Sequence, residues 1–527
     1  MSSLSLNNIT FSDIVTSEED VYVDKTRIIC ELFSSKGRRS YFLSRPRRFG
    51  KTILVSTLEQ LFHGNRKLFE NTYANHNWDW SKSYHVVRLD MSTCLGLSLA
   101  EMEANIKYMI SDISLINGLD FPQEIAASSS LRWLIQNVYH LNNEKPFVLL
   151  VDEYDAPLLA SFESDHYEDV QNLMRMFYSA IKNKAECLQY TFITGISYLS
   201  QSTLFASLNH FCDISLIPKY STIVGFSMDE ILKYYPDHIE RSAKGLNFSC
   251  TDDFLEMFQR WYNGYSWDGH HFLYNPWSVL SFFLTTTFDQ FWSKTGSSSF
   301  VVQHLLKNGV NAADLKGIRV NTEFVSSHDL RQASPASFLF QTGYLTIKSV
   351  EKGGDMRSKY VLDYPNLEVW NSIASLFVKD VYKVDENDLL MISSNLSAAI
   401  DGSDCELIFQ QFKIIFSTVF FNHYDSNRIE HFYNSVVLMF LTGAGFNCSS
   451  EASSNRGRSD LIVKFSNKVL IVELKVGGGA DTALQQILDK NYAGVYSNFD
   501  VIMMGMVISL SDRNVVQYKA MCFVPVQ

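Results

Sequence analysis

The sequence predicts an α/β multidomain chain, and three regions set apart by two changes of pattern predict that architecture. Between Ser40 and about Leu216, short β-rich apolar runs alternate with helix-length amphipathic segments, the signature of a parallel sheet with flanking helices. From about Gly225 to Asn395 the pattern becomes helix-rich and aromatic, with one hairpin, which reads as a helical, winged middle or lid region. From about Ser397 helices give way to a strand pair, a further helix and a late strand, a second and smaller α/β domain. A chain of 527 residues has room for roughly two to four domains, and the expected divisions are 1–224, 225–396 and 397–527.

In the first region the strand candidates are Tyr41–Ser44, Val86–Asp90, Phe147–Val151 and Tyr190–Thr194. The middle region contains Trp261-Tyr262-Asn263-Gly264-Tyr265 and Tyr274-Asn275-Pro276-Trp277. Its hairpin pairs Tyr344–Val350 with Tyr360–Asp363 across a turn at Lys352-Gly353-Gly354-Asp355. In the third region, Asp460–Phe465 and Val469–Val476 form the strand pair, a helix starts at about Asp481, and the late strand lies near Val501–Val507.

Composition removes several classes. Apolar residues make up 46% and charged residues 19%. No apolar run approaches the roughly 18 residues that cross a bilayer, so no membrane span is expected. Met1 to Val15 lacks a basic start and a continuous apolar core, so a cytoplasmic protein is expected. The eight cysteines are scattered without a CxxC pair or a histidine at zinc-ligand spacing, and are expected to be buried free thiols. A net charge of −12 means that any nucleic-acid contact must use a local basic patch.

The first chemical signal is Ser44-Arg45-Pro46-Arg47-Arg48-Phe49-Gly50-Lys51-Thr52, between a short strand and the helix Ile53–Phe62. This is P-loop context, the entry of a P-loop NTPase sheet. Backbone N–H groups around Gly50 can hold phosphate oxygens, Lys51 can reach the terminal phosphates, and the Thr52 hydroxyl can ligate Mg²⁺. Arg45 stands where the first glycine of the motif is usual; the alternative reading of the segment is a basic strand-to-helix turn that binds nothing. Lys36, Arg38, Arg39, Arg45, Arg47, Arg48 and Lys51 crowd this region, which suits phosphate binding and nucleic-acid contact alike.

Phe147-Val148-Leu149-Leu150-Val151-Asp152-Glu153 is an apolar strand ending in two carboxylates, a Walker B pattern. Asp152 would hold the Mg²⁺ shell and Glu153 would orient and deprotonate the attacking water. A further strand ends in Thr194-Gly195, where Thr194 could sense the γ-phosphate. Asn183-Lys184-Ala185-Glu186 superficially resembles a guanine-specifying motif, but it has Glu in place of Asp and precedes a strand, so ATP is preferred to GTP.

The second signal is Gly457-Arg458-Ser459-Asp460 followed by Glu473-Leu474-Lys475. Alternate strand residues share a face, so Glu473 and Lys475 point the same way. If Ser466-Asn467 is a two-residue loop, Phe465 pairs with Lys468 and Asp460 falls opposite Glu473, with Cβ atoms about 4.5–5.5 Å apart. Two carboxylates so placed repel unless a divalent cation lies between them, and hard oxygen ligands suit Mg²⁺ or Mn²⁺. Lys475 would then position the attacking water and stabilise charge developing on a phosphate. Glu430, near the start of the apolar helix Ile429–Leu441, either faces the same site or compensates the helix dipole.

Together Val21-Tyr22-Val23-Asp24-Lys25-Thr26, Phe42 to Thr52, Asp152-Glu153-Tyr154-Asp155-Ala156-Pro157 and Phe192-Ile193-Thr194-Gly195 resemble the predicted AAA-ATPase-like family of bacterial proteins. Its members usually carry a C-terminal PD-(D/E)xK, restriction-endonuclease-like α/β domain. The resemblance extends through the middle motifs, Gln341-Thr342-Gly343-Tyr344-Leu345-Thr346, Gly457 to Asp460, Glu473-Leu474-Lys475 and Gln486-Ile487, and so spans nearly the whole chain. In that family Arg replaces the first P-loop glycine. The resemblance implies metal binding by Asp460 and Glu473, assistance to the nucleophile by Lys475, and Gln486 in the helix flanking the site. One departure is visible: basic residues usual after Thr194-Gly195-Ile196-Ser197 are replaced by Tyr198 and Gln201, with Arg175 and Lys182 as candidate substitutes.

The leading expectation is therefore an ATP-binding, metal-dependent nuclease acting on phosphodiesters, DNA rather than RNA, with the ATPase regulating or powering it. The resemblance alone implies a phage-defence or mobile-element setting. The alternatives are a signalling ATPase whose nuclease-like domain only binds nucleic acid or a partner, and an interaction protein with both sites degenerate. A homo-oligomer is left open.

Overall fold

The computed structural model describes residues 10–34, 39–198, 211–295, 299–321, 324, 330–352, 358–419, 429–450, 460–489, 496 and 498–524. It divides into two compact units. One comprises Met1–Thr295 and Gly317–Glu368, the other Gly296–Lys316 and Val369–Gln527.

The first unit is built on β1 (Arg39–Ser44), β2 (Val86–Asp90), β3 (Phe147–Asp152), β4 (Leu188–Gly195) and the short β5 (Cys212–Asp213). They form one parallel sheet in the order β2-β3-β4-β1-β5. β3 is buried along its whole length, which explains its unbroken apolar run: a strand covered on both faces has no polar alternation. Because β1, β3 and β4 are adjacent, the P-loop, the Asp152-Glu153 pair and Thr194-Gly195 emerge side by side at one sheet edge, where open α/β sheets bind ligands.

A second sheet in this unit has the order β6-β8-β7, with β6 at Ile318–Asn321, β7 at Thr346–Lys352 and β8 at Ser358–Asp363. β7 and β8 form the hairpin read from the sequence, whose turn falls outside the described residues. Of the aromatic residues of the middle motifs, Tyr262 and Tyr274 join Phe254, Phe258, Phe282 and Phe283 in one buried core.

The second unit carries a mixed sheet in the order β13-β12-β11-β10-β9, comprising β9 (Asn447–Ser450), β10 (Asp460–Phe465), β11 (Lys468–Val476), β12 (Asp500–Ser509) and β13 (Asn514–Phe523). β10 and β11 turn through Ser466, whose φ of 50° supplies the left-handed step of a two-residue loop. Helix Ala480–Asp489 packs Leu484 and Ile487 on Ile462, Ile471 and Met503. Helix Cys405–Thr418 lies along β13.

Of the described cysteines, only Cys30, Cys94 and Cys187 are buried as expected. Cys212, Cys250 and Cys522 are exposed, and Cys405 and Cys448 intermediate. Scattered spacing says nothing about burial, and Cys522 ends on an edge strand. No described helix is long and apolar enough to cross a membrane.

Candidate functional site

The first constellation grows from the loop between β1 and helix Lys51–His63. Gly50 caps that helix at φ 91°, a conformation that a side chain would resist. Lys51 is buried and its Nζ donates to the Pro46 carbonyl at 2.9 Å, closing the loop on itself. Burial pulls the Lys51 ammonium below its ordinary value, while the charges of Glu153, Asp152 and Asp155 oppose that fall. Thr52 follows Lys51 on the helix and lies close enough to Asp152 to pull its carboxyl downward. Burial raises the Asp152 and Glu153 carboxyls above the usual carboxylate range, against the pull of Lys51. Glu153 is held at φ 49°, an uncommon backbone state for a residue with a side chain. Sequence reasoning therefore named residues that the fold brings together: Gly50, Lys51, Thr52, Asp152 and Glu153.

Arg45 and Arg48 take other positions. Arg45 is fully buried, lies 3.9 Å from the Trp267 ring centroid, and donates to the Ser44 and Ser215 carbonyls at 2.8 and 2.9 Å. Its guanidinium is thereby engaged in holding β1 to the segment after β5. Arg48 is exposed and stacks over Trp277 at 4.3 Å. Thr194 is enclosed, and its Oγ1 has no hydrogen-bond partner among the described residues. Arg175 and Lys182 lie on the exposed side of helix Tyr167–Asn183. Lys36, Arg38 and Gln201 lie outside the described residues.

Three supports escaped the sequence reading. Arg88 on β2 approaches Asp152 at 3.7 Å and Glu59 at 3.5 Å, bringing a cation to the carboxylate that ends β3. Asp155 is buried and accepts from the Ile196 and Ser197 N–H groups, the latter at 2.6 Å, which ties the loop after β3 to the loop after β4. The Arg47 carbonyl accepts from both Asn275 Nδ2 and Trp292 Nε1 at 3.2 Å, so the middle motifs brace the phosphate loop. The signal for the last was present in Tyr274-Asn275-Pro276-Trp277, but a single sequence gives no pairing between distant segments.

The second constellation lies on the sheet of the other unit. The β10–β11 register sets Asp460 opposite Glu473, as a two-residue loop requires. Glu473 is fully buried and Lys475 Nζ lies 3.0 Å from its Oε1 and 3.6 Å from Glu430 Oε2. Glu430 also accepts from the Val476 N–H at 3.1 Å, which ties helix Ile429–Gly443 to the end of β11. Burial lowers the Lys475 ammonium's proton affinity, but Glu473 and Glu430 outweigh it and hold the group above its ordinary value. Gln486 is half-buried on helix Ala480–Asp489, which covers the sheet face that bears Glu473. Gly505 is paired with Glu473 across β11 and β12. A Cβ there would meet Leu484 N at 2.4 Å and Ala480 O at 2.6 Å, so the helix backbone presses directly onto the sheet beside Glu473. Gly457, Arg458 and Ser459 lie outside the described residues.

Residues 9–205 match the family model described as predicted AAA-ATPase, and residues 428–518 match that of the PD-(D/E)XK nuclease superfamily. An AAA-ATPase-like region is thus followed by a PD-(D/E)XK-like region. A curated relative, "Uncharacterized protein in vnfD 5'region" of Azotobacter chroococcum mcd 1, is 29% identical over 517 residues, 97% of each chain. The AAA-ATPase-like match includes the loop at Lys51 and both carboxylates after β3, and the PD-(D/E)XK-like match includes Glu430, Asp460, Glu473, Lys475 and Gln486.

Proposed function

We propose that the protein is an ATP-binding, metal-dependent nuclease that cleaves phosphodiester bonds, of DNA in preference to RNA, and that ATP at the AAA-ATPase-like region regulates or powers cleavage. The observation that carries the reading is Glu473, a carboxylate fully enclosed on an apolar strand, with Lys475 3.0 Å away and Asp460 opposite in register. Charges are seldom buried without a function or a partner.

The donor set fits a divalent cation. Glu473 and Asp460 would hold it, with hard carboxylate oxygens that suit Mg²⁺ or Mn²⁺. Such an ion, when bound, supplies Lewis-acid stabilisation of charge on a phosphate. The chain's own contribution is positional. Lys475, kept charged by Glu473 and Glu430, lies where an ammonium can orient water and meet negative charge as it develops. Glu430 fixes the end of β11 and thereby the direction of Lys475. Gln486 flanks the same face.

At the other site Lys51, the loop amides around Gly50, and Arg48 would hold the phosphates of ATP. Thr52 and Asp152 would hold its Mg²⁺. Glu153, whose burial raises its proton affinity, is suited to accept a proton from water. Thr194 would sense the γ-phosphate through its unpartnered hydroxyl. The engagement of Arg45 with backbone carbonyls supports a bracing role for it in place of phosphate contact.

The second reading is a nucleotide switch whose PD-(D/E)XK-like region only binds nucleic acid or a partner. Purified protein incubated with linear, circular and single-stranded DNA and with RNA, with and without ATP and Mg²⁺ or Mn²⁺, separates the two. Cleavage that requires metal and disappears in Asp460→Ala and Glu473→Ala supports the nuclease. Retained nucleic-acid binding without cleavage under every condition supports the switch.

A further inference from the structure

Helix Cys405–Thr418 and edge strand β13 are fastened at three levels. Asn514 Nδ2 donates to the Lys413 carbonyl at 3.0 Å and to Ser417 Oγ at 2.9 Å. Four residues on, the Tyr518 hydroxyl donates to Glu406 at 2.9 Å and its ring lies 4.7 Å from that of Phe409. At the far end the Sγ atoms of Cys405 and Cys522 stand 3.9 Å apart. We propose that Cys405 and Cys522 are a redox-modification site, and that a hydroperoxide joins them into a disulfide that locks this helix to the edge of the sheet.

Three features support the proposal. The backbones are already held together by contacts that do not involve sulfur, so the thiols are presented to each other. A disulfide needs about 2.05 Å between sulfurs, and the gap can close by side-chain rotation because Cys405 is the first residue of its helix and Cys522 lies next to the last of its strand. Cys522 is exposed and open to a dissolved oxidant, whereas burial, with Cys522 alongside, pushes the Cys405 thiol up to about 11. The order of events follows. The Cys522 thiolate attacks the peroxide: an S–O bond forms, the O–O bond breaks, and the departing alkoxide or hydroxide takes a proton. The Cys405 thiolate then attacks the sulfenyl sulfur: the S–S bond forms, the S–O bond breaks, and the hydroxyl leaves as water. Two thiols lose two electrons and one hydroperoxide gains them.

The pair is separate from the nuclease-like chemistry. Cys522 pairs with Ile502, which pairs with Leu470, and Leu470 lies three residues from Glu473, so the strand alternation puts the two on opposite faces of the sheet. The crosslink would tighten the support of the sheet and leave its carboxylates untouched.

The test treats the full chain with graded hydrogen peroxide and maps the products by peptide mass spectrometry, with Cys212 and Cys250 as reference exposed thiols. The expected result is an intramolecular Cys405–Cys522 link, two hydrogens lighter, reversed by dithiothreitol and absent from Cys522→Ser and Cys405→Ser. Its formation also raises the thermal midpoint of the wild-type chain and leaves that of either variant in place. Accumulation of sulfinic acid at Cys522 without the link, or crosslinking between chains at these residues, overturns the proposal. The mapping uses wild-type protein, so a variant that folds poorly does not weaken it.

Discussion

Replacing Glu368 by glutamine is expected to remove a pH dependence from the stability of the first unit. Glu368 is fully buried, and its Oε1 accepts from the Trp292 N–H at 2.7 Å and from the Ser278 hydroxyl at 3.1 Å. Its Oε2 has no hydrogen-bond partner among the described residues. Burial raises the carboxyl from an ordinary 4.5 to about 7, against the lowering effect of those donors. The folded state therefore binds this proton more tightly than the unfolded state does. Stability from this group is fully present below about pH 4.5, falls as pH rises, and is lost above about pH 7. At about 1.4 kcal/mol for each pH unit, that interval is worth about 3 kcal/mol. Glutamine keeps an acceptor for both donors and cannot ionise, so its contribution is flat. Urea unfolding of the wild type and Glu368→Gln between pH 4 and 8.5 measures the effect, roughly the interval over which this linkage acts. The difference between the two proteins cancels the titrations they share. A difference that does not change with pH would refute the reasoning. A constant offset, of about 1–3 kcal/mol for an amide hydrogen left without an acceptor, would not.

Lys51→Ala should abolish binding of a fluorescent ATP analogue while far-ultraviolet circular dichroism stays native, because the helix that follows needs no charge there. Glu473→Gln and Lys475→Ala should each lower metal-dependent cleavage by about 100-fold or more, with nucleotide binding at the other site unchanged in the same preparations. Gly505→Ala should destabilise the second unit by about 1–3 kcal/mol in chemical denaturation, since its Cβ would collide with backbone atoms of helix Ala480–Asp489 and not with a side chain able to turn away. Asp155→Asn should weaken nucleotide binding less than Lys51→Ala but raise hydrogen exchange at Ile196 and Ser197, the amides that its carboxylate holds.

Much of the site was legible because it obeys local rules. Phe147 to Glu153 announces a doubly covered strand that ends in carboxylates, and the structure places it in the middle of a parallel sheet. A two-residue loop at Ser466-Asn467 fixes which residue faces Glu473 by counting alone. β5, β6, β9 and β13 were not read. β5, β6 and β9 are two to four residues long, too short for periodicity to register. β13 is exposed along most of its length, so its alternation is weak. Arg45 was read from its position in a phosphate-binding motif, whereas its side chain follows the packing of Trp267 and Ser215, which no local pattern encodes. Glu368 and Arg88 gave no signal for the same reason: each matters through partners far away in sequence.

The double clasp on the Arg47 carbonyl has a consequence for biosynthesis. Asn275 and Trp292 lie 228 and 245 positions downstream of the group they hold. A ribosome delivers the phosphate loop long before it delivers either clasp, so a nascent chain can lay down β1, β3 and β4 while the loop between β1 and its helix still lacks its final braces. The loop takes its final form only when the aromatic half of the first unit has emerged and folded onto it, and fragments cut at the end of the AAA-ATPase-like match would carry every residue proposed to contact phosphate yet lack the clasp that shapes their loop.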